Sequence, residues 1–324
     1  MRIAVTGSIA TDNLMTFPGR FAEQFLADKL DKISLSFLVS GLEIRRGGVA
    51  ANIAFSLGYL GLRPLLVGSV GQDFGDYRRW LDKHGVDTSL VRTSERFHTA
   101  RFVCTTDADL NQIASFYPGA MSEDASLDLN MLAGQADLVL IGAGDPTAML
   151  SLTRQCRELQ IPFAADTSQQ LAVLEGDQIR QLIGGAVYLF SNEYEASLTE
   201  HKTGWTAEEL IAQVGTRVTT LGADGARVDR RGEPPIVVGP VKDVTPVDPT
   251  GTGDAFRAGF LAAVAWNLSL ERAAQLGNLM AVRVLETTGP QEYDLEPGDL
   301  VARCRTSYGD AAADELAAHL RSHG

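Results

Sequence analysis

The sequence predicts an α/β protein built on a largely parallel sheet with helices on both faces and a small β lid. Three observations carry that expectation. First, short apolar runs, Ile3–Thr6, Leu65–Val67, Leu138–Ile141, Phe163–Ala165 and Val187–Phe190, alternate with stretches of helical period. Strands that are apolar on both faces belong in a parallel sheet covered on each side by helices. Second, Ser34–Arg45 and Thr99–Tyr117 break the rhythm. They read as strands with polar alternation and no helix between the elements of each run, which predicts a lid over the sheet's edge drawn mainly from 13–47 and 97–118. Third, no Pro- or Ser-rich linker, repeat or low-complexity segment divides the 324 residues, so 1–324 is expected to be one domain with the lid as its outgrowth.

Composition narrows the partners. With 45% hydrophobic residues the chain can bury a large core. Its formal charge of −13, from 28 basic and 41 acidic residues with no basic run, repels phosphate backbones and argues against a nucleic-acid partner. Met1 to Asp12 holds one Arg and an apolar stretch broken by Gly7. That stretch is too brief for a signal-peptide core or a membrane span, so a cytoplasmic protein with no membrane partner is expected. Cys104, Cys156 and Cys304 are too widely spaced to suggest a disulfide framework or a zinc knuckle. The histidines, His84, His98, His201, His319 and His323, show no metal-ligand spacing, and the last two read as part of a solvated helical tail.

The segment Asp248–Phe256, Asp-Pro-Thr-Gly-Thr-Gly-Asp-Ala-Phe, carries the most chemistry. Phe256, Phe260, Leu261 and Val264 then share one helical face, so Gly251–Asp254 is expected to be a loop entering a helix N-terminus. Such a turn offers unpaired N–H groups to an anion, and two glycines allow close approach. A carboxylate there repels a phosphate, yet it suits a general base beside the reacting oxygen. Read alone, Asp254 could equally be the N-cap of an ordinary helix. Gly47-Gly48 precedes a helix in which Ile53, Leu57 and Leu60 line one face and Asn52 points from the first turn. Close approach to a substrate or a plain turn would each explain that glycine pair. Gly222-Ala223-Asp224-Gly225 follows the strand-like Arg217–Leu221 and fits either a nucleotide-contacting turn or a hairpin. Asp73-Phe74-Gly75 lacks the other protein-kinase motifs. Neither Gly251-Thr252-Gly253 nor Gly142-Ala143-Gly144 completes a dinucleotide fingerprint, and no Walker lysine is present, so a dehydrogenase or P-loop enzyme is disfavoured.

Taken together, these residues resemble the ribokinase-like (PfkB) carbohydrate and nucleoside kinases over essentially the whole chain. The resemblance rests on Gly7-Ser8 to Asp12, Gly47-Gly48 with Asn52, Val67–Gly75, Asn192-x-x-Glu195, Thr220-Leu221-Gly222 and Asp248–Phe256. It is closest to the actinobacterial-type adenosine kinases, through Ser36–Val39, Ser115–Ser122 and Asp166–Leu171.

That resemblance implies a ribokinase-like fold and transfer of the ATP γ-phosphate, with Mg2+, to a nucleoside 5′-hydroxyl. Asp254 would be the base, and the amides of Gly251, Thr252 and Gly253 the anion hole. Asn192 and Glu195 would organise magnesium and water, and Thr220, Gly222 and Gly225 would contact the nucleotide. Asp12 would grip the ribose hydroxyls, with Ser8, Ser36, Gly48 and Asn52 nearby. Gln169 and Gln170 would read the edges of the base, and Phe102 and Phe116 would clasp the purine unless they form a lid core of their own. Asp248, Thr250, Val284, Thr287 and Gly289 match positions that hold K+ in relatives, although Gly289-Pro290 stands where Gly-Ala is expected. Adenosine is the expected acceptor. A sugar kinase of the same family acting on ribose or fructose, or a catalytically silent nucleoside sensor, would share much of this pocket. Exposed strand edges on the lid would favour a homodimer formed through it.

Overall fold

The computed structural model describes residues 1–25 and 34–320. Its strands are β1 (Ile3–Thr6), β2 (Ala10–Thr16), β3 (Gly41–Gly47), β4 (Leu65–Val70), β5 (Val91–Thr93), β6 (Ala100–Thr106), β7 (Gln112–Tyr117), β8 (Leu138–Ile141), β9 (Phe163–Asp166), β10 (Tyr188–Asn192), β11 (Thr216–Thr220), β12 (Ala226–Asp229) and β13 (Ile236–Val238). Its helices are α1 (Val49–Tyr59), α2 (Gly75–Lys83), α3 (Pro146–Glu158), α4 (Gly176–Ile183), α5 (Glu193–Thr203), α6 (Ala207–Gln213), α7 (Thr252–Ala265), α8 (Leu270–Leu285), α9 (Pro297–Tyr308) and α10 (Asp310–Ala317).

Nine strands form the main sheet in the order β13-β12-β11-β10-β9-β8-β1-β4-β5. It is parallel except at β12 and β13. Period-two alternation explains why helices cover both faces. Ile3 and Val5 enter the core shared with α1, α2, α7 and α8, whereas Ala4 between them enters the core shared with α3, α4 and α6. Leu138 and Leu140 divide from Val139 and Ile141 in the same way. Each such Val, Leu or Ile side chain, fully buried, contributes roughly 1.5–3 kcal/mol.

Strand order reverses between β1 and β8: β4 and β5 lie on one side of β1, and the rest of the sheet continues from β8. The crevice outside the carboxyl ends of strands at such a reversal is where open α/β sheets bind ligands. Ser8 at the end of β1 bonds across it to the Ala143 carbonyl at 2.9 Å.

The lid is a separate sheet in the order β3-β2-β6-β7. Its register sets Arg45, Asp12, Phe102 and Phe116 side by side in one row across the four strands. Because Phe37 turns onto Phe17 and Phe21, with ring centroids 5.0 Å from each, only Gly41–Arg45 of the expected Ser34–Arg45 strand lies in a strand, β3, which runs on to Gly47. Residues 26–33 of the 13–47 span, and His323, lie outside the described residues. His319 is not simply solvated, since its ring stacks on Trp266 at 5.2 Å.

β3 passes into α1 across Gly48, whose φ of +95° suits glycine. A Cβ there would sit 2.6 Å from the Ala10 nitrogen and from the Ser8 carbonyl oxygen. The chain crossing that joins lid to sheet, and not a plain turn, therefore demands this glycine.

Candidate functional site

The Asp248–Phe256 segment forms the expected loop and helix start. Gly251, in the left-handed region at φ +79°, is the N-cap of α7, so Asp254 stands at the third helical position and is not the cap. Its Oδ2 accepts from Asn52 Nδ2 at 2.9 Å, which ties the start of α7 to the start of α1. The Thr252 N–H is turned to the Pro249 carbonyl at 3.3 Å. Among the described residues the N–H groups of Gly251, Gly253 and Asp254 have no backbone partner, so two of the three amides expected to form the anion hole are free and that of Asp254 adds a third.

A buried polar chain supports Asn52. Gln291 Nε2 donates to Asn52 Oδ1 at 2.8 Å and to the Tyr77 hydroxyl at 2.5 Å, and Tyr77 donates to the Gly47 carbonyl at 2.9 Å. Sequence reading missed Gln291 and Tyr77. Their signal was weak, a lone polar residue in each of two distant segments that meet only in the fold.

Sequence reading also missed Arg257, one turn after Asp254. Arg257 and Asp166 are 7% and 0% exposed, and they pair through Nη2–Oδ1 at 2.7 Å and Nε–Oδ2 at 2.6 Å. An arginine in the otherwise apolar run Ala255–Ala263 was the legible sign. Burial pushes the Asp254 carboxyl up to about 7, against the opposing pull of Arg257 and the Asn52 hydrogen bond, while Asp166 adds to the rise. A carboxylate poised near neutrality suits a general base.

On the lid side, burial raises the Asp12 carboxyl above its ordinary value, and Arg45 opposes the rise. Ser8 lies at the crossing beneath, its hydroxyl accepting from the Val49 N–H at 2.9 Å. Phe102 is half-buried opposite Phe116, which is 49% exposed. Ser36 is exposed on the unpaired segment beside Phe37, and no contact brings it to Asp12. At the crevice, Gln170 Nε2 donates to the Gly144 carbonyl at 2.7 Å, whereas Gln169 is exposed and accepts from the Ser168 hydroxyl.

Beyond α7 a cavity of about 540 Å³ opens onto Thr252 and Gly253. Thr220, Gly222 and Gly225 form one wall, and Val241, Val244, Ala281 and Leu285 supply apolar surface opposite. Gly222–Gly225 is the hairpin turn between β11 and β12, and its two glycines also line the cavity. Asn192 and Glu195 are reciprocal caps of α5. Asn192 Oδ1 accepts from the Glu195 N–H, and Glu195 Oε2 from the Asn192 N–H, both at 2.8 Å. Glu195 nevertheless lies close enough to act electrostatically on Asp166 and Arg257. Among the described residues no cluster of three or more His, Cys, Asp or Glu could hold a metal.

Several of the positions matching a monovalent-cation site already have protein partners. The Asp248 carboxylate already accepts from the Thr250 N–H at 2.9 Å, the Gly289 N–H at 3.1 Å and Arg45 Nη1 at 3.3 Å. The Thr287 hydroxyl donates to the Arg283 carbonyl, and the Val284 carbonyl accepts from the Thr287 N–H. A guanidinium from the lid supplies the positive charge that K+ would bring.

A carboxylate at a glycine-rich helix start, between a lidded crevice and an apolar cavity, is the arrangement expected of a phosphotransferase of the ribokinase-like fold. Residues 12–296 match the pfkB family of carbohydrate kinases, and the chain belongs to that family. It is accordingly an ATP-dependent enzyme that phosphorylates an alcohol. The nucleoside kinase of Burkholderia thailandensis in complex with inosine is 33% identical, with a TM-score of 0.82 over 96% of this chain and 99% of that one. Its complex described as ADP-inosine gives 34% and 0.79 over 96% and 97%. The nucleoside kinase of Methanocaldococcus jannaschii is 28% identical over 82% of this chain and 88% of its own length.

Proposed function

We propose that the protein transfers the γ-phosphoryl group of MgATP to the 5′-hydroxyl of a purine nucleoside, with adenosine as the expected acceptor. The observation that carries this is Asp254, held by Asn52 between the lid face bearing Asp12 and the cavity beside Gly253. In the transfer, Asp254 takes the proton as the acceptor oxygen bonds to phosphorus, and the bond to the ADP oxygen breaks with its electron pair. The N–H groups of Gly253 and Asp254 receive the developing phosphoryl charge. Asp12 would accept from the ribose hydroxyls, and Phe102 and Phe116 would cover the base. The whole-length similarity to a nucleoside kinase supports a nucleoside over a free sugar, and the product would serve purine salvage. The exposed Leu42, Ile44, Ile113 and Tyr117 on the lid support the further expectation of a homodimer.

A coupled-enzyme screen of adenosine, inosine, ribose and fructose with MgATP tests the reading. Adenosine should exceed either sugar in kcat/KM by roughly tenfold or more, as one good stacked ring would give. A preference for ribose or fructose would establish the sugar-kinase reading, and binding of nucleoside without any ADP formation the sensor reading.

A further inference from the structure

Packing does not explain the Arg257–Asp166 pair. Each member is a charge in the core, and a buried ion pair is commonly no more stabilising than apolar residues of the same volume. Neither member accounts for the other, since removing both would remove the need for either. The location is informative. α7 carries the guanidinium back over its own first turn, so that the Nη1 not engaged by Asp166 faces Gly253. A Cβ on Gly253 would sit 2.6 Å from that nitrogen, so the second glycine of the loop makes room for the guanidinium as well as for a phosphate.

We propose that Arg257, clamped by Asp166, is a positioning residue for phosphoryl transfer that sets the charge and placement of Asp254 and braces the Gly253 turn. The inference rests on the reading of Asp254 as the base. Groups from three elements bear on that carboxylate, and one from a fourth responds to it. Asn52 of α1 donates to it, Arg257 of α7 attracts its charge, Asp166 of β9 repels it, and Tyr77 of α2 feels its field. Glu195 of α5 acts on the pair rather than on Asp254 directly. Arg257 and Asp166 therefore pull in opposite senses on the same proton. A brace that served only the fold would have no such signature.

The test compares the pH dependence of kcat/KM for the wild type, Arg257→Met and Asp166→Asn. Without the guanidinium the acid limb should rise by about one pH unit or more, and without the Asp166 charge it should fall. Arg257→Lys, which keeps the charge but loses the fork, should hold the limb in place while lowering kcat and leaving KM near wild type. Limbs that stay put in correctly folded variants, or that move in the same direction, overturn the proposal. Should Arg257→Met fail to fold, Asp166→Asn and Arg257→Lys decide it by the same criteria. Titration of the Asp254 carboxyl by carbon NMR, assigned through Asp254→Asn, reads the same midpoints without turnover. If no acceptor is phosphorylated, the kinase reading fails while the titration still judges Arg257.

Discussion

The two sheets of this protein are held together in different ways. The main sheet separates two large cores, and β4 is buried along its whole length. Among the described residues the lid sheet shares with the body a hydrophobic cluster of Ala10, Ala100 and Met121, and it leaves Leu42 60% and Ile44 65% exposed. In the first region packing dictates the residues. In the second they are free to answer to what the lid covers, and the register sets Arg45, Asp12, Phe102 and Phe116 in one row, which we propose faces ligand rather than a core.

The sharpest way to break that contrast is to alter chemistry without altering packing. Asp254→Asn should lower kcat by roughly 10² to 10⁴ while the fold and substrate affinity persist. Because the Asp254 carboxyl stands near 7, wild-type kcat/KM should climb with pH through about that value and level off above it. Steady-state rates on the purified variant decide the first point, and a loss under about threefold would remove Asp254 from the mechanism.

On the lid, Phe102→Leu and Phe116→Leu should each lower kcat/KM for adenosine about tenfold to a hundredfold, the worth of one aromatic-base stack. Their melting temperatures should barely move. Variants that melt many degrees lower yet turn over adenosine normally would show the two rings to be a lid core after all, and the contrast between the sheets would collapse.

A smaller effect is expected at the junction. Asp124, in the Gly119–Ser126 turn that returns the chain from β7, is buried against Ser69 of β4, and burial pushes its carboxyl up to about 7 despite the Ser69 hydrogen bonds. A carboxyl raised in the folded state favours the protonated protein, so its cost is absent at low pH and grows as pH rises through about 7. Asp124→Asn should thus raise the melting temperature by about 2–4 °C above neutrality and by less near pH 5. Melting scans at the two pH values are decisive, and a variant that melts lower at both would reverse the sign. Least of all should the identity of the salt matter. Replacing KCl with choline chloride should change kcat/KM by less than about twofold, because Arg45 already supplies the charge beside Asp248. A strong requirement for K+ would show that Arg45 leaves the site during turnover.

Sequence patterns revealed the main sheet well because its strands are locally consistent. Leu138–Ile141 and Ile3–Thr6 have the bounds that their apolar runs predict. The helix start at Gly251–Asp254 was legible for the same reason, since glycines, a carboxylate and an apolar face fall within a few residues. What stayed hidden depends on distance along the chain. Asp166 and Arg257 are 91 residues apart, and Asn52 and Gln291 are 239 apart. No local pattern announces such partners. The unpaired segment before Gly41 was misread because Phe37 alternates like a strand residue but spends its ring on Phe17 and Phe21.

The thinness of the lid's core also bears on how this enzyme can change over generations. A substitution in the main sheet disturbs two packed layers at once, and most such changes would be removed by selection before any new activity could appear. Within one copy of the chain the outer positions of β3 and β7 touch little, so they can vary without threatening the fold that carries Asp254, within whatever limits a dimer sets. The acceptor side can therefore drift from one small molecule to another while the phosphate-handling side stays fixed. Inherited variation should accumulate in the lid strands first, and changes of substrate should be found there.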